Sequence, residues 1–428
     1  MKTAAIIAEY NPFHNGHAYH IEETRRQTGA NFIIAAMSGD YVQRGAPALI
    51  DKYARTKMAL AGGADLVIEL PCSVSLASAE GFASGAVSLL TALSCVDELS
   101  FGSECGDMER LSLSASLLAS ESDTFRQELR ARMKEGMTYP AARQLAFAAA
   151  HPEHRELAEL LATPNNILGI EYCLALRSLH SPIRPRTITR KGSGYHDRTL
   201  FHTEEASFKE ASSGTGYPSA SAIRAALTAH PPVSGHSDNP ELTDILQYGI
   251  PPACRPILRD ALADGILTQD DYTPYLYYRL VYSDDAFLSS FPDVTPELAN
   301  RIRILGRHIR SYSEFAKALK PRQYTRSRID RILMRLILDI RRTDTAAFYA
   351  RILGFKKTAA PLLKAIRQNS RIPVITRPAP DERKLTAEAL AGFRADLRAS
   401  ELARHIREAS LGRHFRNEYT RGLILDPE

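Results

Sequence analysis

The chain has 428 residues, 44% apolar and 24% charged, which is the composition of a globular protein and the length of two or three domains. No apolar run is long enough to span a bilayer, Glu9 interrupts the N-terminal apolar stretch as a signal peptide would not allow, and five scattered cysteines suit reduced thiols in a cytoplasm. The net charge of +5 is uneven: residues 301–342 hold 13 Lys and Arg against three acids, +10, leaving −5 elsewhere and pointing to a polyanionic partner for that segment.

The first hundred residues alternate. Strand-like runs at residues 4–8, 32–37, 66–70 and 98–101 are separated by helical stretches at 18–27, 52–61 and 79–93, with Gly62-Gly63 closing the second helix. Such alternation predicts a parallel sheet with right-handed crossovers, an α/β Rossmann-like domain. Residues 106–161 read as helices, and 183–190 as a further strand. A Gly/Ser/Thr-rich loop then leads into a helix over 219–229. The Pro/Ser/Gly-rich stretch 231–240 is the expected boundary between a domain at 1–230 and a mainly helical region at 241–428. The charged tail from Arg377 reads as peripheral.

The strongest chemical signal follows the first strand: Glu9-Tyr10-Asn11-Pro12-Phe13-His14-Asn15-Gly16-His17. A strand that ends in a turn and feeds a helix N-terminus makes an anion site, because free N–H groups and the helix dipole face the turn. Gly16 lets a phosphate approach the backbone, and His14 and His17 can donate to phosphoryl oxygens as charge builds there. The pattern resembles the His-x-Gly-His motif of class I nucleotidyltransferases. No cluster with zinc-like spacing accompanies it, so no metal site is expected.

Other segments fit the same pocket. Gly102 lies at a strand end where a base or ribose can pass. Asn165 and Asn166 begin a helix, where amides cap or bind. Arg190 and Lys191 place two cations at a strand end. Ser219, Ser221 and Arg224 resemble the second superfamily motif, a Ser-rich helix start ending in Ile-Arg that grips leaving phosphates. Lys52, Arg55 and Lys57, behind the 38–47 loop, could hold triphosphate or a small carboxylate, or form a solvated helix face.

Together the phrases Glu9 to His17, Met37-Ser38-Gly39 with Gln43-Arg44-Gly45, Ala54-Arg55-Thr56-Lys57, Asp65-Leu66-Val67-Ile68-Glu69, Phe101-Gly102-Ser103-Glu104 and Pro164-Asn165-Asn166-Ile167 resemble the bacterial tRNA(Met) cytidine acetate ligase family, as do Arg322 to Arg328 and Arg351 to Phe355. The resemblance implies acetylation of N4 of the wobble cytidine in elongator tRNA(Met) from acetate and ATP, through acetyl-adenylate. It implies an ATP loop of Ile7, Ala8, Glu9, Tyr10, Asn11, Pro12, Phe13, His14, Asn15, Gly16, His17, Ala18, Tyr19 and His20, completed by Gly102, Asn165 or Asn166, and Arg190 with Lys191. Mg²⁺ is expected to escort the triphosphate. Arg322, Arg326, Arg328, Arg331 and Arg335, with Tyr324 to stack on a base, are the expected tRNA-binding surface. No protein partner and no membrane association are evident. A small-molecule adenylyl- or cytidylyltransferase would share the motif but leave the basic half unexplained. A non-catalytic RNA-binding protein would not need both histidines.

Overall fold

The structure is a computed structural model and describes residues 1–190, 218–229, 240–341 and 348–426. Its centre is an eight-stranded sheet in which β1 (Thr3–Ala8), β2 (Phe32–Ser38), β5 (Leu66–Leu70), β6 (Glu98–Ser103) and β7 (Arg184–Thr189) run parallel in the order β5-β2-β1-β6-β7. The central strands β1, β2 and β5 are buried along most of their length on both faces, which is why they read as near-continuous apolar runs, whereas the edge strand β7 is largely polar and partly exposed. The expected parallel α/β domain is therefore present, with each expected strand within a few residues of its observed bounds.

Helices α1 (Asn15–Thr28), α2 (Lys52–Ala61), α3 (Cys72–Ser75) and α4 (Ala79–Ala92) connect the first strands. Helices α5 (Met108–Ala119), α6 (Asp123–Lys134), α7 (Tyr139–Ala150) and α8 (Pro164–Ser178) lie between β6 and β7. Because β1 has β2 on one side and β6 on the other, the chain reverses direction across the sheet there. Open α/β sheets place ligands at the carboxyl ends of such strands. A two-stranded hairpin, β3 (Tyr41–Val42) with β4 (Ala46–Pro47), projects beyond β2.

The second half is not wholly helical. β8 (Ala350–Lys356) pairs antiparallel with β5, and β9 (Val374–Ile375) and β10 (Ile424–Asp426) pair with β8, so the sheet draws strands from both sides of the Pro/Ser/Gly-rich segment. The tail also lies against the core rather than at the periphery. Fully buried Lys52 donates to Glu69 Oε1, Glu418 Oε2 and Ser400 Oγ, each at 2.8 Å, and Arg351 reaches the same two carboxylates at 3.1 and 2.6 Å. The helix Ala387–Leu411 and the segment around Glu418 are thereby fastened to β5 and α2.

Candidate active site

His14 is the N-cap of α1, and its ring closes a reciprocal cap with His17. Gly16 N–H donates to His14 Nδ1 (3.0 Å), and His14 N–H donates to His17 Nδ1 (3.2 Å). Since each Nδ1 accepts a backbone hydrogen bond, each neutral ring must carry its proton on Nε2. Burial pushes His14 down to about 3 and His20 to about 4, with Arg190 adding to both and Arg224 to His14. His17 is also held well below its ordinary value, mainly by burial. The motif thus presents two neutral imidazoles, stacked with centroids 3.8 Å apart, as Nε2–H donors beside a helix N-terminus.

The preceding loop is held rigidly. Fully buried Arg55 donates to the carbonyls of Glu9 (2.8 Å), Ser38 (2.9 Å) and Gly39, tying the ends of β1 and β2 together. Lys52 and Arg55 are therefore internal struts, not triphosphate ligands, because their donors are taken up by carboxylates, a hydroxyl and backbone carbonyls inside the protein. Tyr10 adopts a left-handed φ of 47°, and its ring packs on Phe13 and His17. The Asn11–Pro12 bond is cis. Phe13 is buried against Gly62, where a Cβ would lie 2.2 Å from the ring. Here the glycine is required by close approach of a side chain, beyond its part in ending α2.

A cavity of about 940 Å³ opens over the motif. Of residues 7–20, it is lined by Ile7, Ala8, Glu9, Tyr10, Asn11, His14, Gly16, His17, Tyr19 and His20. Pro12, Phe13, Asn15 and Ala18 are not among its lining: Asn15 donates to Tyr248 O (2.7 Å), and Ala18 packs on the core below the sheet. Asn11 Oδ1 accepts from Leu49 N–H (2.8 Å), and Glu9 Oε1 from Gln43 N–H (2.8 Å), so these side chains also brace the loop.

Gly102, Asn165 and Arg190 meet on one wall. The Arg190 stem crosses Gly102, and its guanidinium donates to Asn165 Oδ1 (3.2 Å). Asn166 faces away: buried, it accepts from Glu104 N–H (3.0 Å) and Cys105 N–H (3.1 Å). The geometry separates the two asparagines as the sequence did not, leaving Asn165 in the cavity. Ser219 and Arg224 line it as well, Arg224 donating to Asn11 O (2.8 Å) and to Ser221 Oγ (3.0 Å). Lys191 lies outside the described residues.

The basic helix Arg326–Leu338 turns one side toward this cavity. Arg328 and Arg331 line it, together with Thr325, Ser327 and Asp293. Arg331 donates to Gln43 O (3.3 Å) on the hairpin, and burial pushes it down to about 10. Arg335 is buried near Asp293, Arg326 pairs with Asp330, and Arg322 is exposed. Tyr324, expected as a stacking platform, is only 7% exposed, and Arg328 covers its ring at 4.1 Å. The segment expected as an exposed tRNA-binding surface is thus mostly an inward wall, and tertiary packing, not helical spacing, decided which way it points. The sequence reading missed Tyr139, Arg143 and Glu171, which also line the cavity; nothing in their local pattern marks them.

Comparisons with known proteins agree with this geometry. Residues 1–417 match the HIGH Nucleotidyl Transferase family model. The chain is 40% identical over 410 residues to the tRNA(Met) cytidine acetate ligase of Clostridium kluyveri, covering 92% of this chain and 94% of that protein. It is 36% identical to the Acetivibrio thermocellus enzyme of the same name, covering 88% of each. The chain belongs to the tRNA(Met) cytidine acetate ligase family. Among solved structures it superposes on Thermotoga maritima TmcAL bound with α-thio ATP at a TM-score of 0.85, with 26% identity and 99% of each chain covered. The apo form of that protein gives 0.87 at 27% identity, over the full length of both.

Among the described residues no group of three His, Cys, Asp or Glu is placed to hold a metal ion. Among the same residues no helix is long and apolar enough to cross a membrane.

Proposed function

We propose that the protein is an ATP-dependent ligase that joins acetate to N4 of the wobble cytidine in elongator tRNA(Met). The observation that carries this reading is the pair of Nε2–H donors fixed by the His14/His17 cap at a helix N-terminus, inside a cavity at the upper end of the size range for small-molecule sites. Family membership supports the choice of reaction, and the cationic wall of Arg328 and Arg331 supports a polyanionic second substrate.

In the first step the acetate carboxylate attacks the α-phosphorus of ATP and pyrophosphate leaves. The protein's part is positioning and charge stabilisation. His14 and His17 donate to the oxygens that gain charge, while Arg190 and Arg224 supply a positive field. Asn165 and Gly102 border the nucleoside. Any Mg²⁺ travels on the triphosphate, and no step here depends on it. In the second step the exocyclic amine attacks the acetyl carbonyl and AMP leaves. That amine is a poor nucleophile because its lone pair is delocalised into the ring, so a mixed anhydride is the chemically sensible donor. The base must leave the anticodon stack to reach the cavity. ATP and tRNA place the reaction in the cytoplasm.

Mass spectrometry of tRNA incubated with the protein, ATP and acetate, with acetyl-CoA absent, tests this. One acetyl group on the wobble cytidine with AMP released is the expected result. Unmodified tRNA, under conditions where the protein binds ATP, would refute the ligase reading.

A further inference from the structure

One wall of the cavity is left unused by the chemistry above. On it, Arg143 of α7 donates to Glu171 Oε1 of α8. Among the described residues this is the only hydrogen bond either side chain makes, although their exposures are just 14% and 4%. Both line the cavity. Two strongly polar groups have thus been drawn out of bulk water with most of their hydrogen-bonding capacity unspent. A buried ion pair of this kind is not explained by stability alone, since well-packed apolar side chains often do as well. Tyr139, at the start of α7, lines the same wall with 45% of its surface exposed.

The unspent groups form a pattern: a carboxylate oxygen that accepts, beside a guanidinium fork that donates. The pairing edge of cytosine is its complement, with the N4 amine as donor and N3 and O2 as acceptors; carboxylates are the usual acceptors for cytosine N4–H. Uracil presents an oxygen in place of that amine, so it would face the carboxylate with like partial charge and be rejected. Placement agrees. Glu171 follows Asn165 by six residues on one helix, about 9 Å along its axis, so the pair stands on the same cavity lining as Asn165 but displaced from it along the helix.

We propose that Arg143 and Glu171 form the subsite for the acceptor cytosine, with Glu171 accepting from N4–H, Arg143 donating to N3 and O2, and Tyr139 stacking on the ring. This deepens the ligase reading and rests on it. Burial raises the Glu171 carboxyl above its usual range against the opposing Arg143 charge, which strengthens it as an acceptor.

The test uses the full chain with Glu171→Gln, a substitution that keeps shape and removes the acceptor. Three quantities are read: acetate-dependent ATP–pyrophosphate exchange, tRNA acetylation, and binding of anticodon stem-loops carrying C or U at the wobble position in the presence of ATP. The expected result is exchange within about threefold of wild type with an unchanged KM for ATP. Acetylation kcat/KM should fall about a hundredfold, and the preference for C over U should collapse toward one. Tyr139→Ala, on a half-exposed side chain that folding does not need, should lower acetylation about tenfold and leave exchange intact. A retained C preference in Glu171→Gln overturns the proposal. So does a raised KM for ATP, since adenine also offers a donor beside an acceptor and the pair would then belong to the nucleotide. Absence of exchange in the wild type would refute the ligase reading itself, while the stem-loop comparison still decides the subsite.

Discussion

Replacing His14 separates its two jobs. As N-cap it accepts from Gly16 N–H, and as a phosphate donor it offers Nε2–H. Asparagine is among the best N-caps and can accept the same backbone hydrogen bond, but its amide cannot reach where the imidazole Nε2 sits. His14→Asn should therefore hold stability within a few tenths of a kcal/mol and still lower the rate of acetate-dependent ATP–pyrophosphate exchange by about 10²–10³, the usual effect of removing one aligned donor from a developing oxyanion. His14→Ala loses the cap as well, and should add a destabilisation of about 1 kcal/mol, seen as a lower urea midpoint at unchanged slope. Exchange rates and urea titrations on the two variants give the four numbers needed. Near-wild-type exchange in His14→Asn would show that the cap alone matters and that the ring donates nothing to the reaction.

Three further outcomes follow from the same geometry. Gly62→Ala should displace the Phe13 ring, against which its Cβ would lie 2.2 Å away, and raise the KM for ATP while α2 itself stays folded; an unchanged KM would mean the loop adapts freely. Asn166→Ala should cost about 1–3 kcal/mol by orphaning two half-buried N–H groups, whereas Asn165→Ala should weaken ATP binding at little cost in stability, as denaturant titration and nucleotide binding would show. Acid should destabilise the protein through His14. Its folded pKa of about 3 lies below the unfolded value of 6.5, so the unfolded state binds the extra proton. Stability is then lost as pH falls from about 6.5 toward 3, and His14→Asn should flatten that part of a urea-midpoint profile.

Much of the site was legible because its parts are local. A buried strand, a turn with glycine and a helix N-terminus lie within residues 3–28, and the histidine cap closes over three residues, so sequence spacing alone specifies the geometry. The parallel sheet was legible for a similar reason: its strands are short apolar runs between amphipathic helices. Arg190 and Arg224 could also be placed, the first directly after a strand and the second within the first turns of a helix whose start the Ser-rich segment marks.

What the sequence could not decide is which distant partner each side chain meets. Lys52 and Arg55 look like any basic helix start, yet Lys52 is neutralised by Glu418, 366 residues further on, and Arg55 is consumed by carbonyls of two strand ends. Arg328 and Arg331 share a helical spacing with Arg322, and only the packing of their helix against the hairpin turns them inward. There Gly45, at a φ of 74°, leaves no room for a Cβ against the Arg331 backbone. Arg143 and Glu171 are 28 residues apart on two unremarkable helices and become a polar pair only because the fold brings their side chains together. Periodicity reports on neighbours three and four residues away. Charge pairing inside a protein depends on which surfaces are desolvated together, and that is a property of the assembled fold.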